Sequence, residues 1–512
     1  MLRARFTSLA EKLTYLRAAG DLILVHICML AALPLAMLAE KVVGRAVESA
    51  WLLQDFWHYY FTFFSPLSLM FPAMFLLTGL YTASGLYSGR YKWLIAGGSA
   101  GVAVTTFFIV DRLAFAHEFS SRSLVLCFGL LVMIAVPAIR FAKAIIVAEF
   151  SPQDGNDESA RPILIVGGAG YIGSLLARSL LSKGYKVKVL DKLVYGDFAI
   201  RDLIGKPGFE LLVGDCRNIQ AVSGAVKGVD AIVHLAAIVG DPACDLDHQT
   251  ALEINYAATR MLTEVAKGHG VKRFVFASSC SVYGATEAFV DEQSPAAPIS
   301  LYGHTKVDSE TTLLEAESEE FLPTILRFAT VFGHSHRPRF DLVVNLLTAK
   351  AHQEGIITIY NGQQWRPFIH VRDIARAIVS VLEAPLSVVG GQIYNVGDSR
   401  LNCTLTEIAE KVRALMPNTK VMHVENADRR NYRVCFDKIR DQLGFECQIS
   451  VEDGIKEMKQ AFDDRSISDY TDVNYHNQRY LSISGSPANT RDIDAKVMAA
   501  FADVDRSVTM HA

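Results

Sequence analysis

Two side chains suited to acid–base chemistry lie four residues apart in the segment SLYGHTKVDSE, namely Tyr302 and Lys306. On a helix, residues at this spacing share one face. A tyrosine with its ordinary pKa of about 10 is a poor base at neutral pH, but a neighbouring ammonium favours the phenolate. The pair therefore predicts a phenol that can accept a proton, although the same spacing in isolation is more typical of a surface pair.

Hydroxyl groups precede this pair at the end of a predicted strand. The run RFVFASSCSVYG is apolar as far as Ser278 and continues with Ser279, Cys280 and Ser281. Side chains at the carboxyl end of a central parallel strand point into the ligand crevice of the sheet. A serine-rich turn without function would fit equally well in isolation, so the prediction of a site depends on the Tyr302 segment converging there.

The elements that must position these groups begin with a glycine-rich turn. The segment ILIVGGAGYIG passes from a buried-strand pattern into Gly167, Gly170 and Gly173, and a helical pattern follows. Strand, glycine turn and helix in this order predict dinucleotide binding, because missing Cβ atoms let backbone N–H groups approach a pyrophosphate. Asp191, about 20 residues later at a strand end, would hold the adenosine ribose hydroxyls and repel a 2′-phosphate. The site therefore favours NAD over NADP, and Lys192 is the one neighbour that argues the other way.

Two more strand ends fit the same site. Asp215, in FELLVGD, could accept a hydrogen bond from the adenine amino group, and Ala236 and Ala237, in DAIVHLAA, would let a cofactor pass close to the backbone. Strands and helices alternate beyond residue 162, which predicts an α/β fold with a Rossmann-type doubly wound parallel sheet.

These motifs resemble the extended short-chain dehydrogenase/reductase family, the nucleotide-sugar epimerases and dehydratases, over about residues 162–462. The resemblance rests on GGAGYIG, DKLVYG, GDCRN, HLAA, SSCSVYG, YGHTK, LRFATVFG and WRPFIHVRDIA. It implies that Tyr302 is the general base, that Lys306 binds the nicotinamide ribose and lowers the tyrosine pKa, and that Ser279 hydrogen-bonds the sugar hydroxyl. It implies NAD as cofactor, held by Gly167, Gly170, Tyr171, Ile172, Gly173, Asp191, Asp215, Cys216, Ala236, Ala237, Lys306 and Phe328.

The resemblance also implies a nucleotide-sugar substrate held by Ser279, Ser281, Arg339, Arg366 and Arg430. Arg366 matches an arginine that grips the diphosphate, and a guanidinium suits bidentate phosphate binding. For Arg339 and Arg430, solvent-facing charges on the smaller lobe are an equally good interpretation. Family members often dimerise through two helices, one of which carries the tyrosine and lysine, so a homodimer is expected.

The two residues after Ser279 separate the possible reactions. The 4,6-dehydratases of the family place Asp and Glu there to eliminate water, and related decarboxylases keep the Glu, whereas this chain has Cys280 and Ser281. Return of the hydride to the opposite face of a 4-keto sugar, which is 4-epimerisation, is the reaction that remains. A 4,6-dehydratase, a 4-ketosugar reductase and a non-catalytic sugar-nucleotide scaffold or sensor are the alternatives.

The first 150 residues have a different character. The chain is 51% hydrophobic, with a mean hydropathy of +0.23, and four runs of nearly uncharged residues account for the excess: 21–39, 59–81, 93–110 and 124–147. Each is close to the length of about 20 residues that crosses a bilayer, which favours membrane spans over buried helices. Lys and Arg concentrate before the first run, between the second and third, and after the fourth, so both termini and the catalytic domain are predicted on the cytoplasmic side of an inner or plasma membrane. The layout resembles the four-span anchors of some bacterial polysaccharide-biosynthesis enzymes.

The predicted organisation is a transmembrane anchor at 1–150, a polar linker at 151–161, the NAD-binding domain at 162–462 and a C-terminal extension at 463–512. The smaller substrate lobe is expected mainly at 335–365 and 400–460. The extension is polar and aperiodic, so it is expected to wrap the surface or stay disordered. A net charge of −4 gives no support for a nucleic-acid partner, and eight scattered cysteines without a C-x-x-C pair predict neither a metal site nor a disulfide framework.

Overall fold

The computed structural model describes residues 2–42, 55–78, 90–114, 122–150, 161–425 and 430–485. The chain divides into two compact units, Met1–Glu158 and Ser159–Ala512. The predicted linker lies outside the described residues except for Arg161, and so does the predicted extension from residue 486 onward.

The first unit is helical. Its helices are α1 (Leu2–Val42), α2 (Met70–Leu77), α3 (Arg90–Ala114) and α4 (Arg122–Phe150), and a π-helical turn, Tyr60–Phe64, precedes α2. Among the described residues, three segments are long and apolar enough to cross a membrane: Arg17–Val42, Asp55–Leu77 and Ser123–Arg140. The run predicted at 93–110 lies within α3, where the shorter apolar helix Ala96–Asp111 is found.

Polar pairs mark the two ends of this bundle. Arg140, in the second half of α4, donates to Asp21 at 2.6 Å, and Ser123, near the start of α4, donates to Glu40 at 2.6 Å. Helices α1 and α4 are therefore antiparallel. Nineteen helical positions at about 1.5 Å each place Asp21 about 28 Å from Glu40, close to the ~30 Å of a bilayer core. Between the pairs the outward side chains are large and apolar, among them Ile23, Ile27, Leu30, Leu126, Leu130 and Ile134.

The strands of the second unit within the described residues are β1 Ile163–Val166, β2 Val187–Asp191, β3 Phe209–Val213, β4 Ala231–His234, β5 Arg273–Ser279, β6 Ala285–Val290, β7 Leu322–Phe328, β8 Thr330–Phe332, β9 Ile356–Tyr360, β10 Trp365–His370, β11 Gln392–Val396, β12 Asn402–Thr404, β13 Lys420–Val424 and β14 Asn431–Val434. Its helices of seven or more residues are α5 Gly173–Ser182, α6 Ile219–Val226, α7 Ala258–Gly268, α8 Leu301–Glu315, α9 Val343–Gln353, α10 Val371–Glu383, α11 Leu405–Leu415, α12 Asp437–Leu443, α13 Val451–Asp463 and α14 Asn477–Ser484.

A seven-stranded sheet organises the second unit, in the order β3-β2-β1-β4-β5-β7-β11. Every neighbouring pair is parallel. Alternate residues of β1 enter different buried clusters, Ile163 and Ile165 on one face and Leu164 and Val166 on the other. Helices therefore cover both faces, and the predicted Rossmann-type doubly wound sheet is confirmed. The strand order reverses direction between β1 and β4, where such sheets bind ligands beyond the carboxyl ends of their strands.

Three small sheets lie outside the central one: β8, β10 and β12 form the first, β9 and β13 the second, and β6 and β14 the third. Helices α9, α11 and α13 share a buried cluster with β9 and β10, which includes Val344, Ile357, Phe368, Ile408 and Ile455. This second core comprises much of the segments predicted as a substrate lobe. Past α13, the described part of the extension ends in α14.

Candidate active site

The glycine turn between β1 and α5 is shaped by two different demands. Gly167 has φ +88°, and a Cβ there would lie 2.6 Å from the backbone nitrogen of Ala236, so only glycine fits against the neighbouring strand end. Gly170 has no such constraint, since a Cβ would meet nothing nearer than the Gly167 carbonyl oxygen at 3.4 Å. That open space at the start of α5 is what close approach of a pyrophosphate requires. The residues present therefore fit a dinucleotide.

Asp191 lies at the end of β2 and supports this turn. Its carboxylate accepts from the backbone N–H groups of Ala169 at 2.9 Å and Leu193 at 2.8 Å. Burial raises the pKa of Asp191, and the two hydrogen bonds act against that shift. Lys192, the neighbour that favoured a 2′-phosphate, has its ammonium 2.9 Å from Asp215.

Asp215 is part of a buried ionic cluster. Arg217 donates to it at 2.9 Å and to Glu253 at 2.8 Å, and the Arg217 side chain is fully buried. Burial would raise the pKa of Asp215, but the bonds from Arg217 and Lys192 outweigh burial and lower it. The Cys216 thiol is buried beside this pair, which raises its pKa to about 12. The cluster keeps Asp215 ionised at the predicted adenine end of the site.

Helix α8 places the acid–base pair. The Ser300 side chain accepts from the Gly303 N–H at 3.2 Å and caps the helix, so Tyr302 lies in its first turn and Lys306 one turn further on. Both side chains are buried. The predicted hydroxyls adjoin them: Ser279 is hydrogen-bonded to Tyr302, and it donates to the Ser281 hydroxyl at 2.9 Å. The structure therefore brings the predicted catalytic residues together.

Burial dominates the protonation of Tyr302. It raises the pKa of the phenol, as does the nearby Cys244, whereas the charge of Arg339 and the hydrogen bond with Ser279 lower it. Tyr302 is therefore a neutral phenol in the protein by itself. The sequence predicted a lowered pKa for Tyr302, and the chain alone does not produce it. Burial destabilises the phenolate more than Arg339 and Ser279 stabilise it.

Lys306 reaches across to β5. Its ammonium donates to the Ala277 carbonyl at 2.7 Å and lies 5.6 Å from the centre of the Tyr302 ring and 4.7 Å from that of Phe276. Burial lowers the pKa of Lys306 to about 8. The hydrogen bond to the Ala277 carbonyl holds the ammonium close to the Tyr302 ring.

The three predicted substrate arginines have different surroundings. Arg366 donates to the Trp365 carbonyl at 2.8 Å and to the Arg430 carbonyl, so these two arginines are adjacent. The Arg430 guanidinium is 2.9 Å from Asp241. Arg339 is buried and forms a bidentate pair with Asp341, at 3.0 and 2.6 Å. Arg366 and Arg430 therefore form one basic cluster, while Arg339 lies in a separate ion pair.

The remaining predicted residues line the same edge of the sheet. Phe328 ends β7 in register with Ser279, Ile172 directly precedes α5, and the Tyr171 hydroxyl donates to the Gly333 carbonyl at 2.6 Å. Ala237 follows Ala236 beyond β4. The structure thus gathers all the predicted cofactor residues along the carboxyl ends of the strands.

The sequence interpretation missed two residues at this site. The Arg337 guanidinium lies 3.6 Å from the centre of the Tyr195 ring and contributes charge to Asp191. Tyr432 is hydrogen-bonded to Ser281 and lies under the Arg366 guanidinium, 5.5 Å from the centre of its ring. Both occur beside residues that were singled out, Arg337 two positions before Arg339 and Tyr432 two after Arg430, and that proximity was the available signal.

Comparison with known proteins identifies the fold's family. The model of the NAD-dependent epimerase/dehydratase family matches residues 163–397. A dTDP-glucose 4,6-dehydratase of Streptomyces niveus is 30% identical over 317 residues, which cover 59% of this chain and 93% of that protein. The chain belongs to the NAD-dependent epimerase/dehydratase family.

Other members of the NAD-dependent epimerase/dehydratase family are similarly close. The UDP-glucose 4-epimerase of Bacillus subtilis (strain 168) is 28% identical over 57% of this chain and 94% of its own length. The solved UDP-glucuronic acid 4-epimerase from Bacillus cereus, in complex with UDP-glucuronic acid and NAD, is 25% identical with a TM-score of 0.55 and covers 59% of this chain and 99% of its own. The predictions of the family, of an NAD-dependent nucleotide-sugar enzyme and of NAD as cofactor are confirmed.

Proposed function

We propose that this protein is a membrane-anchored nucleotide-sugar 4-epimerase that works through a transient 4-keto sugar and supplies precursors for surface polysaccharides. The family membership supports the broader assignment to nucleotide-sugar epimerases and dehydratases. The finer choice among reactions depends on the side chains next to the catalytic pair.

The observation that carries the proposal is the environment of the two residues after Ser279. The Cys280 side chain is 1% exposed and donates from Sγ to the Arg327 carbonyl at 3.3 Å, and burial raises its pKa. Ser281 is engaged with the Ser279 hydroxyl and with Tyr432. A buried neutral thiol and a serine hydroxyl cannot carry the two proton transfers that elimination of water across C5 and C6 requires. Epimerisation at C4 needs no proton transfer at C5 or C6.

The proposed roles follow from the geometry. Tyr302 takes the proton of the sugar C4 hydroxyl and later returns it, while Ser279 holds that oxygen by a second hydrogen bond. The glycine turn and Asp191 would hold NAD, which would supply the reversible hydride acceptor for C4. Lys306 holds the nicotinamide ribose and supplies the positive charge that the buried phenol needs to ionise. Arg366 and Arg430 bind the diphosphate, so the sugar can turn while the nucleotide stays fixed.

Product analysis tests the reaction. Detergent-solubilised protein would be incubated with UDP-glucose, UDP-glucuronic acid and dTDP-glucose in D₂O, and products would be followed by NMR. We expect an equilibrium mixture of C4 epimers of one substrate class, with unchanged mass, no deuterium at C5 and no net reduction of added NAD. A product that has lost water, or one with deuterium at C5, would show that the chain is a dehydratase.

The helices of the first unit support the proposal of a membrane anchor. Two polar pairs about 28 Å apart bracket an outward apolar surface on antiparallel helices, which is the pattern of a bilayer span. The shorter helix Ala96–Asp111 crosses with the others as a fourth span. The distribution of Lys and Arg along the sequence supports an orientation with both ends of the bundle and the catalytic unit in the cytoplasm. A homodimer through α8 stays a prediction from the family resemblance.

Fractionation tests the anchor. We expect the full chain to sediment with membranes, to resist extraction by alkaline carbonate and to enter the supernatant only with detergent, because the outward residues of α1 and α4 match lipid. An expressed chain that starts at residue 161 is the control and should remain in the supernatant. Full-length protein extracted by carbonate or salt alone would contradict the anchor.

A further inference from the structure

The C-terminal segment Asp464–Gly485 begins in a buried cluster that it shares with residues of α9 and α13. Ile467 is 1% exposed and Tyr470 6%. The Phe340 ring lies 5.8 Å from that of Tyr470 and 5.9 Å from that of Tyr475, and the Phe340 N–H donates to the Tyr475 carbonyl at 3.0 Å. The segment is therefore anchored before it reaches the cofactor site.

Asn477 then links the segment to both sides of that site. Its side-chain oxygen accepts from Arg337 at 2.7 Å, and its amide donates to the Val239 carbonyl at 3.3 Å. Val239 lies in the loop after β4, two residues beyond Ala237, and Arg337 stacks on Tyr195 in the loop after β2. Asn477 thus contacts the loop after β4 directly and is linked to the loop after β2 through Arg337.

Helix α14 closes the same gap with apolar contacts. The Tyr480 ring lies 4.9 Å from that of Tyr195. Leu481 is 4% exposed and shares a buried cluster with Ile238, Cys244 and Tyr302. The glycine turn after β1 lies between the loops that α14 joins, so the helix adjoins both the ribose-binding end of β2 and the tyrosine of α8.

The solved Bacillus cereus relative leaves part of the second unit unmatched. The Bacillus cereus epimerase is covered over 99% of its length yet matches only 59% of this chain, and the second unit alone is longer than that share. Part of the second unit therefore has no counterpart in that structure, and α14 follows the last helix of the region that resembles the family.

We propose that Asp464–Gly485 is a strap that retains NAD in its cleft. The loops after β2 and β4 must move apart before a dinucleotide can leave. Asn477, the Tyr480–Tyr195 pair and Leu481 hold these loops together, so release requires α14 to detach. The proposed epimerase cycle regenerates NAD at every turnover. Because the cofactor does not need to exchange, a strap that slows its release does not slow turnover. The inference rests on the NAD dependence of the family and not on which sugar is turned over.

The test compares three variants of the full-length, detergent-solubilised protein. Tyr480→Ala removes the ring pair and a partly buried ring that packs against the Leu481 cluster, Tyr480→Ala/Leu481→Ala also removes the buried leucine, and Ile483→Ala changes a residue of the same helix that is 75% exposed. NAD bound after purification would be measured by chromatography of the denatured protein. Its release would be followed by adding an alcohol dehydrogenase that reduces each NAD set free.

We expect release about tenfold faster or more in the double variant, an intermediate effect in Tyr480→Ala and none in Ile483→Ala, since weakened contacts act chiefly on the dissociation rate. Unchanged release in both Tyr480 variants would overturn the strap. So would slower release with higher NAD content, which would make the segment an obstacle to binding. A double variant that unfolds leaves Tyr480→Ala to decide. Because the measurement uses no sugar, a wrong substrate assignment does not affect it.

Discussion

Tyr302→Phe is expected to lower kcat about 10²–10⁴-fold while the protein retains bound NAD and binds its nucleotide sugar with little change. The substitution deletes the hydroxyl that is hydrogen-bonded to Ser279 and keeps the ring that packs with Leu481, Ile238 and Cys244. The loss is therefore chemical and not structural. Turnover would be measured by NMR and sugar-nucleotide binding by calorimetry.

Tyr360→Phe is the matched control, because Tyr360 lies on β9 with half of its surface exposed. It should leave kcat unchanged. Two results would contradict the assignment of the base: undiminished turnover in Tyr302→Phe, or a Tyr302→Phe protein that has lost NAD and substrate together. A wild-type protein that binds the sugar nucleotide without any turnover would instead support the sensor alternative.

Arg327→Met is expected to lower the free energy of unfolding by about 3–5 kcal/mol. Arg327 donates to Glu310 at 2.6, 3.1 and 3.2 Å and to the Tyr283 hydroxyl at 2.9 Å, and Ser278 donates to the same carboxylate. All of these groups are buried. Removal of the guanidinium leaves the Glu310 carboxylate in the interior without its ionic partner. Unfolding in denaturant, followed by fluorescence in detergent, measures the change.

The double variant Arg327→Met/Glu310→Met should lose less than Arg327→Met alone, because no charge is then left unpaired in the interior. Lys272→Met is the surface control: its partner Glu320 is 3.2 Å away, and both side chains are about half exposed or more. It should change the free energy of unfolding by less than about 1 kcal/mol. Equal effects of Arg327→Met and Lys272→Met would show that the interior pair is not needed for the fold.

The order of motifs made the central sheet and its ligand edge predictable. On a parallel sheet, the ends of successive strands meet at one edge, and Gly167 and Asp191 both lie at such ends. Tyr302 and Lys306 lie one helical turn apart on a helix that packs beside the same edge. The local sequence patterns and the overall topology are therefore consistent, and such consistency allows a fold to be predicted from its sequence.

Side-chain partners were less predictable. Arg339 stays a predicted substrate residue, but the sequence did not indicate that Asp341, two residues later, pairs with it or that Arg337 stacks on Tyr195. Which arginine of HRPRFD faces the site depends on the backbone of that loop, and the sequence carries no periodic signal there. The packing of α14 was equally hidden, because Asn477 contacts Arg337 and Val239, and Tyr480 contacts Tyr195, on loops far earlier in the chain.

Proline was a weaker guide to helix ends in the first unit than in soluble proteins. Pro34 and Pro137 interrupt the apolar pattern, but α1 and α4 continue through them. Neighbouring helices and local adjustments satisfy the freed carbonyls of helices in apolar surroundings, so proline is tolerated there.

Opposite directions of α1 and α4 have a consequence for how the chain can be tagged. Asp21 and Arg140 meet at one end of the bundle, so the amino terminus emerges on the same face as the residues leading to the enzyme. With the proposed membrane anchor, a fluorescent protein joined to Met1 would lie on the same side of the bilayer as the catalytic unit, whichever way the bundle inserts.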